Sequence, residues 1–352
     1  MGMYFDVVIF DLDDILVEKS DTFNETIKKC LNYYLCDFAK IAPAATELIT
    51  DADIEQLRRT GFTHDSDVLY AAIVYFLNLL SKEYNEDDYL EYKGTELFDV
   101  IAKNDPVEET CDDLLKKKRI NEFARMIAGK GGGMKGLNRL FGLKNSWMAL
   151  YEGHILMDNM IKRIYMEYYL GEELFHTIYS QPRVYIREDG TINRHSLRIH
   201  PKYLFRMKKM FPLCVVSDRT YYEARYLLKT FDALNLFDSI ATIDSGISES
   251  EMHDYGVSTG MEKTYSQMII EAVESLRGYE ELSETPRICF IGCFPDEAKS
   301  LSQLKEKYHV TIVGLVSKEE NAQEIQKKFG INNIVRSNEQ ILSLFGIQPE
   351  ES

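Results

Sequence analysis

The sequence predicts an α/β protein: a doubly wound, mostly parallel, Rossmann-like core into which an α-helical domain is inserted. Three observations carry this. The apolar, β-branched and aromatic run Val7-Val8-Ile9-Phe10 ends abruptly in Asp11-Leu12-Asp13-Asp14, as a buried parallel strand does where an open sheet holds its ligands. Comparable runs return at 213–217, 287–292, 310–316 and 334–335, spaced by stretches long enough for helices. Between the first of these runs and the second, apolar residues recur at helical spacing instead, including Ile27, Leu31, Leu35 and Phe38, then Leu69, Ile73, Phe76 and Leu79.

The order of elements sets the domains. Residues 1–17 and 201–352 are expected to form the core and residues 18–200 the helical insertion, since a chain of 352 residues exceeds a usual single domain. Within the insertion, Phe123–Ile127 and Met160–Leu170 continue the helical pattern. Arg183-Val184-Tyr185-Ile186 is the first stretch there that reads as a strand, with Asp189-Gly190 as a hairpin or tight turn.

Composition bounds the function. A formal net charge of −16 argues against a nucleic-acid surface, which needs a basic patch, and favours a small substrate held by local cations. The six cysteines contain no Cys-x-x-Cys pair and two lie in predicted core strands, so they are expected as reduced thiols. The first strand begins too early to leave room for a signal peptide, and no apolar run is long enough to span a membrane. A soluble, cytoplasmic protein without a membrane partner is expected; the sequence leaves the oligomeric state open.

The chemistry concentrates after the first strand. With one residue between them, Asp11 and Asp13 can divide two tasks, nucleophile and acid/base, around one Mg²⁺. The segment Phe10–Val17 resembles the opening motif of the haloacid dehalogenase superfamily of phosphohydrolases, with Ile15 where Thr is common. Three later segments follow in the order that the resemblance requires. Leu213–Ser217 resembles the second motif, in which the hydroxyl of Ser217 and the next backbone N–H, that of Asp218, bind a phosphate oxygen. Lys263, in Gly260-Met261-Glu262-Lys263-Thr264, resembles the third and implies a cation for the phosphoryl group. Arg287–Gly292 followed by Cys293-Phe294-Pro295-Asp296-Glu297 resembles the acidic fourth motif.

The resemblance implies an aspartyl-phosphate mechanism. Asp11 attacks phosphorus; Asp13 protonates the leaving oxygen and later takes a proton from water; Ser217, Asp218 and Lys263 hold the phosphoryl oxygens. Mg²⁺, or Mn²⁺, is implied on the Asp11 carboxylate and the Asp13 carbonyl, helped by Asp296 or Glu297. The implied partner is a small phosphorylated metabolite. Cys293 stands where the family carries a metal-ligating Asp, and a thiol is a poor ligand for a hard cation. It reads either as a small buried residue in a relaxed site or as a redox-sensitive thiol. This departure keeps a second function open: a catalytically weak or inactive member that binds a phosphorylated ligand or a protein partner.

In family terms the helical insertion is a cap. The stretches Gly61–Asp67, Gly131–Gly136 and Tyr165–Gly171, with Ser217-Asp218-Arg219, are similar to a poorly characterised microbial branch of these hydrolases. Arg219, His64, Lys130 and Lys135 are its candidate substrate contacts, although His64 also reads as a surface group. The glycine-rich run Gly129–Gly136 lacks the Gly-Lys-Ser/Thr ending of a nucleotide P-loop. It predicts a mobile loop, either reaching over the core site or simply at the surface.

Overall fold

The computed structural model describes residues 5–18, 22–41, 46–62, 64–79, 110–141, 155–156, 159–245, 263–277, 282–293, 301, 304, 307–316, 322–329, 331 and 333–348. The chain divides into two compact units, one of Met1–Ser20 with His195–Ser352 and the other of Asp21–Arg194.

The first unit holds one sheet of six strands: β1 Val7–Asp11, β2 Leu213–Ser217, β3 Ser239–Thr242, β4 Arg287–Cys293, β5 His309–Leu315 and β6 Asn333–Val335. Their order is β3-β2-β1-β4-β5-β6, and every neighbouring pair is parallel. Such a sheet is covered on both faces, which is why its strands read as unbroken apolar runs; β1 and β2 are buried along their whole length. Val7 and Ile9 of β1, with Cys214 and Val216 of β2, pack with Met268, Ile269, Ala272 and Val273 of the helix Tyr265–Leu276. Phe10 meets Phe237 edge-on, ring centroids 6.3 Å apart. The strand order runs outward in both directions from β1, through β2 on one side and β4 on the other. The C-terminal ends of β1 and β4 therefore flank the topological switch point, where doubly wound sheets hold ligands.

The second unit is helical. Its described helices are Thr22–Asn32, which runs on as a π-helical turn Tyr33–Phe38, then Asp51–Arg58, Asp65–Leu77, Cys111–Lys117, Ile120–Gly129, Gly133–Phe141 and Met160–Tyr179, with a short 3₁₀ turn at Thr191–Arg194. Asp65–Leu77 is buried from Ser66 onward, a helix enclosed by its neighbours rather than one with a wet face. Thr50 and Thr110 start their helices with capping boxes to Asp53 and Asp113. Among the described residues no helix is long and apolar enough to cross a membrane.

Two expectations fail here for identifiable reasons. Arg183–Ile186 is not a strand. The N–H groups of Val184, Tyr185 and Ile186, which a strand would donate to a neighbour, instead bind the fully buried carboxylate of Glu167 at 2.9, 2.7 and 3.0 Å. No hairpin follows at Asp189-Gly190; Gly190 lies against Gly171, which has φ 75° and breaks the long helix, and a Cβ on Gly171 would stand 2.8 Å from the Gly190 nitrogen. Nor is the glycine run carrying Lys130 and Lys135 a mobile loop. It is a packed turn between two helices, in which Gly132 has φ 73° and a Cβ there would lie 2.4 Å from the Thr60 carbonyl oxygen. The Gly133 N–H donates to that same oxygen at 2.9 Å. The glycines serve close backbone approach, and both lysines point to solvent.

Candidate active site

β1 delivers Asp11, 2% exposed, to the switch point. The chain then folds tightly on itself: Leu12 N–H donates to Val216 O at 3.0 Å, Val17 N–H to Leu12 O at 2.9 Å and Asp14 N–H to Val17 O at 2.7 Å. Asp14 sits at φ 63°, a left-handed conformation that Asp tolerates. This turn brings Asp13, 6% exposed, close to the end of β2.

At that end Ser217 is fully buried, and its Oγ accepts the Arg219 N–H at 3.1 Å. The Arg219 side chain, 5% exposed, turns to Asp13: Nε donates to both carboxylate oxygens at 3.0 Å, and Nη2 donates to Oδ1 at 2.7 Å. Nη2 also reaches His195 Nε2 at 3.3 Å, while His195 Nδ1 lies 3.0 Å from the Glu18 carbonyl oxygen. A carbonyl only accepts, so Nδ1 carries the hydrogen and Nε2 presents its lone pair to Arg219. The residue read as a substrate contact thus spends its guanidinium on the second aspartate. Asp218 beside it is exposed.

The next helix, Tyr221–Thr230, begins with Thr220 in a capping box with Glu223, and Asp244 past β3 accepts the Tyr221 N–H at 2.9 Å. Burial pushes the Glu223 carboxyl up from the ordinary glutamate range; the Arg219 charge and the Thr220 hydrogen bonds offset this only in part. A carboxyl raised on folding binds its proton more tightly in the native state. Its contribution to stability is therefore fully present below the unfolded value of about 4.3 and declines as pH rises through the folded value. Glu223→Gln keeps the cap and removes this decline. Its denaturation midpoint is expected to equal the wild type's at pH 4 and to match or exceed it at pH 7.5; a lower midpoint at pH 7.5 would refute the assignment.

Lys263 lies beside the end of β3, its N–H donating to Ile243 O at 3.4 Å, and its ammonium pairs with Glu271. Thr264 caps the helix that follows, and Tyr265 at its first position points back to β1. The Tyr265 hydroxyl stands 3.3 and 3.4 Å from the two Asp11 oxygens, long for an O–H···O bond. Cys293, half-buried, closes β4 opposite Leu315 of β5. Asp296 and Glu297 lie outside the described residues. His64, Lys130 and Lys135 belong to the helical unit, where His64 precedes the first residue of Asp65–Leu77.

The structure therefore brings Asp11, Asp13, Ser217 and Arg219 together, and adds Tyr265 and His195, which sequence reasoning missed. Tyr265 was within reach of it, as the first residue of the helix after the motif lysine. His195 carries no local signal. The Asp11 carboxylate and the Asp13 carbonyl would offer a divalent ion hard oxygens of the kind Mg²⁺ and Mn²⁺ prefer. No group of three or more His, Cys, Asp or Glu suited to a metal occurs among the described residues, so waters or residues outside them would complete such a shell.

No protein-family model matches the chain, and no curated protein sequence does. Solved structures do. An X-ray structure determined as a Northeast Structural Genomics Consortium target aligns over 97% of this chain and 98% of its own, with TM-score 0.61 and 13% identity. Phosphatase Tt82 from Thermococcus thioreducens aligns over 90% and 94%, with TM-score 0.48 and 16% identity. A haloacid dehalogenase-like family hydrolase from Streptococcus pneumoniae aligns over 97% and 98%, with TM-score 0.44 and 10% identity. With a helical unit inserted after the first strand of a doubly wound parallel sheet, the chain shares the α/β fold of the first of these structures over nearly its whole length.

Proposed function

We propose that this protein is a metal-dependent phosphohydrolase that cleaves a small phosphorylated metabolite through an aspartyl phosphate on Asp11. The observation that carries the reading is the pair of buried carboxylates at the switch point, Asp11 closing the strand β1 and Asp13 in the turn after it. Asp11 attacks phosphorus, and Asp13 serves as the proton-handling group. The Ser217 hydroxyl and the Asp218 N–H, at the C-terminal end of β2, suit a phosphate oxygen because donors there favour an anion. Lys263 would add its charge by exchanging Glu271 for the phosphoryl group. Mg²⁺ or Mn²⁺, held by the Asp11 carboxylate and the Asp13 carbonyl with Asp296 or Glu297, would screen the repulsion between nucleophile and phosphate.

The helical unit serves in this reading as the cap that selects substrate, with His64, Lys130 and Lys135 as its candidate contacts. The free thiols at Cys214 and Cys289, both buried in the sheet, suit a reducing cytoplasm. The deciding experiment is turnover of a panel of phosphate compounds with Mg²⁺, with Mn²⁺ and with neither. Metal-dependent release of phosphate supports the reading, and none on any compound defeats it.

Cys293 favours a second reading, a weak or inactive member that binds a phosphorylated ligand or a protein partner. Cys293→Asp discriminates between the two. An added carboxylate is expected to tighten Mg²⁺ binding by roughly tenfold in titration calorimetry and to raise turnover. Unchanged affinity means that other oxygens already complete the shell. Gained affinity without turnover favours the binding protein.

A further inference from the structure

Two thiols meet inside the helical unit, and the chemistry proposed above uses neither. Cys36 lies in the turn Tyr33–Phe38 and Cys111 opens the helix Cys111–Lys117; their Sγ atoms are 3.8 Å apart across 75 positions of sequence. Both stand on hydrogen-bonded backbone. The turn is closed by the Ala39 N–H on Tyr34 O at 2.8 Å, a bond across five residues of the π type that recurs at functional positions in helices. The helix start is fixed by the capping box of Thr110 with Asp113. At its other end Lys118 bonds Asp53 at 2.9 Å and the Leu48 carbonyl at 3.2 Å. The approach of the two sulfurs is thus held by both backbones.

The two thiols differ in access. Cys36 is half-buried and Cys111 fully buried, so a reagent arriving from solvent meets Cys36 first. An accessible thiol with a second in contact is what dithiol chemistry needs: one attacks, the other resolves. Burial pushes the Cys36 thiol up; a hydrogen bond from the Cys111 thiol opposes this, and the Asp37 charge adds to it. Attack is therefore slow at neutral pH, and a reducing environment keeps both groups as thiols.

We infer that Cys36 and Cys111 form a reversible dithiol site whose co-reactant is a low-molecular-weight disulfide of the glutathione class. In the first step the Cys36 sulfur loses its proton to solvent and bonds to one sulfur of the reagent, whose S–S bond breaks to release a thiolate. In the second, the Cys111 sulfur loses its proton and bonds to the Cys36 sulfur, and the mixed disulfide breaks to release a second thiolate. The two departing thiolates take up the two protons. Two protein thiols are oxidised and one small disulfide is reduced to two small thiols. The sulfurs close from 3.8 Å to about 2.0 Å, a shift within reach of rotation about the two Cα–Cβ bonds. The link joins the turn after the first helix of the unit to the helix Cys111–Lys117, and it restricts the unfolded chain more than the folded one.

The test treats the folded, full-length protein with an excess of glutathione disulfide at about pH 8, where more of the thiol is ionised, and maps the acid-quenched product by mass spectrometry. The wild type is expected to lose two hydrogens, to yield the Cys36 peptide joined to the Cys111 peptide, and to recover both thiols with dithiothreitol. Cys111→Ser should stop at a glutathionyl adduct on Cys36. Cys36→Ser should leave Cys111 unmodified for at least about 10²-fold longer, because a buried thiol reacts only when the fold opens. The linked protein should melt roughly 5 °C or more above the reduced one, a rise that Cys36→Ser does not show. If neither variant folds, the wild-type map decides alone. A wild type that stops at the adduct on Cys36, joins Cys36 to Cys30 instead, or stays fully reduced overturns the inference.

Discussion

Asp11→Asn is expected to lower phosphate release by roughly 10⁴-fold or more while leaving the thermal midpoint within a few degrees of the wild type. The substitution changes almost no volume and exchanges a charged nucleophile for a neutral amide. The side chain is 2% exposed, and its protein contacts include the long approach of the Tyr265 hydroxyl, which an amide oxygen can also receive. Removing a buried negative charge costs the fold little, whereas the reaction loses the atom that bonds to phosphorus. Assay of the purified variant against the best wild-type substrate, with a denaturation curve beside it, reads both quantities. Undiminished release from a folded variant would rule out a covalent intermediate on Asp11.

The largest effect on stability is expected at Glu167, in the helical unit. Its carboxylate is wholly buried and accepts three backbone N–H groups and Arg163 Nε at 3.0 Å, so it takes the place of a missing strand neighbour for residues 184–186. Glu167→Ala leaves those donors and the arginine without an acceptor, a loss of about 3–5 kcal/mol. Glu167→Gln keeps one oxygen for the N–H groups and should cost about half as much. Urea denaturation of both variants checks the order; an alanine variant as stable as the wild type would mean that the segment pairs elsewhere.

The same residue explains where the sequence misleads. Val184, Tyr185 and Ile186 have the composition of a strand, and nothing local reveals that their N–H groups are taken by an acid almost a full helix away in the chain. Five of the six strands were legible because a parallel sheet covered on both faces demands continuous apolar runs, whereas β3, Ser239–Thr242, is short and only half-buried at its start and gave no such signal. The positions of Asp11 and Ser217 at the ends of buried strands were legible for a related reason: each is the polar residue that closes such a run. The clamp on Asp13 was not. Arg219 and Asp13 are separated by 206 positions, and an arginine after a strand looks the same whether it faces a substrate or an aspartate. The glycine run failed differently, since flexibility and close packing call for the same residue, and only the approach of Thr60 distinguishes them.

The central position of β1 also bears on how the protein is made. β1 emerges from the ribosome before the other five strands, and both of its neighbours lie far along the chain, with Val8 registered against Leu213 and Cys289. At ~5–20 residues per second, roughly ten to forty seconds of synthesis pass before β2 exists. Throughout that interval Val7–Phe10 is an apolar segment with no strand to pair with, the kind of edge that other chains can capture. Each sheet contact of β1 closes a very long loop, so assembly of the sheet is a late and slow event in folding. Asp11 and Asp13 are thus translated long before β2 and β4, the strands between which β1 must settle to complete the site.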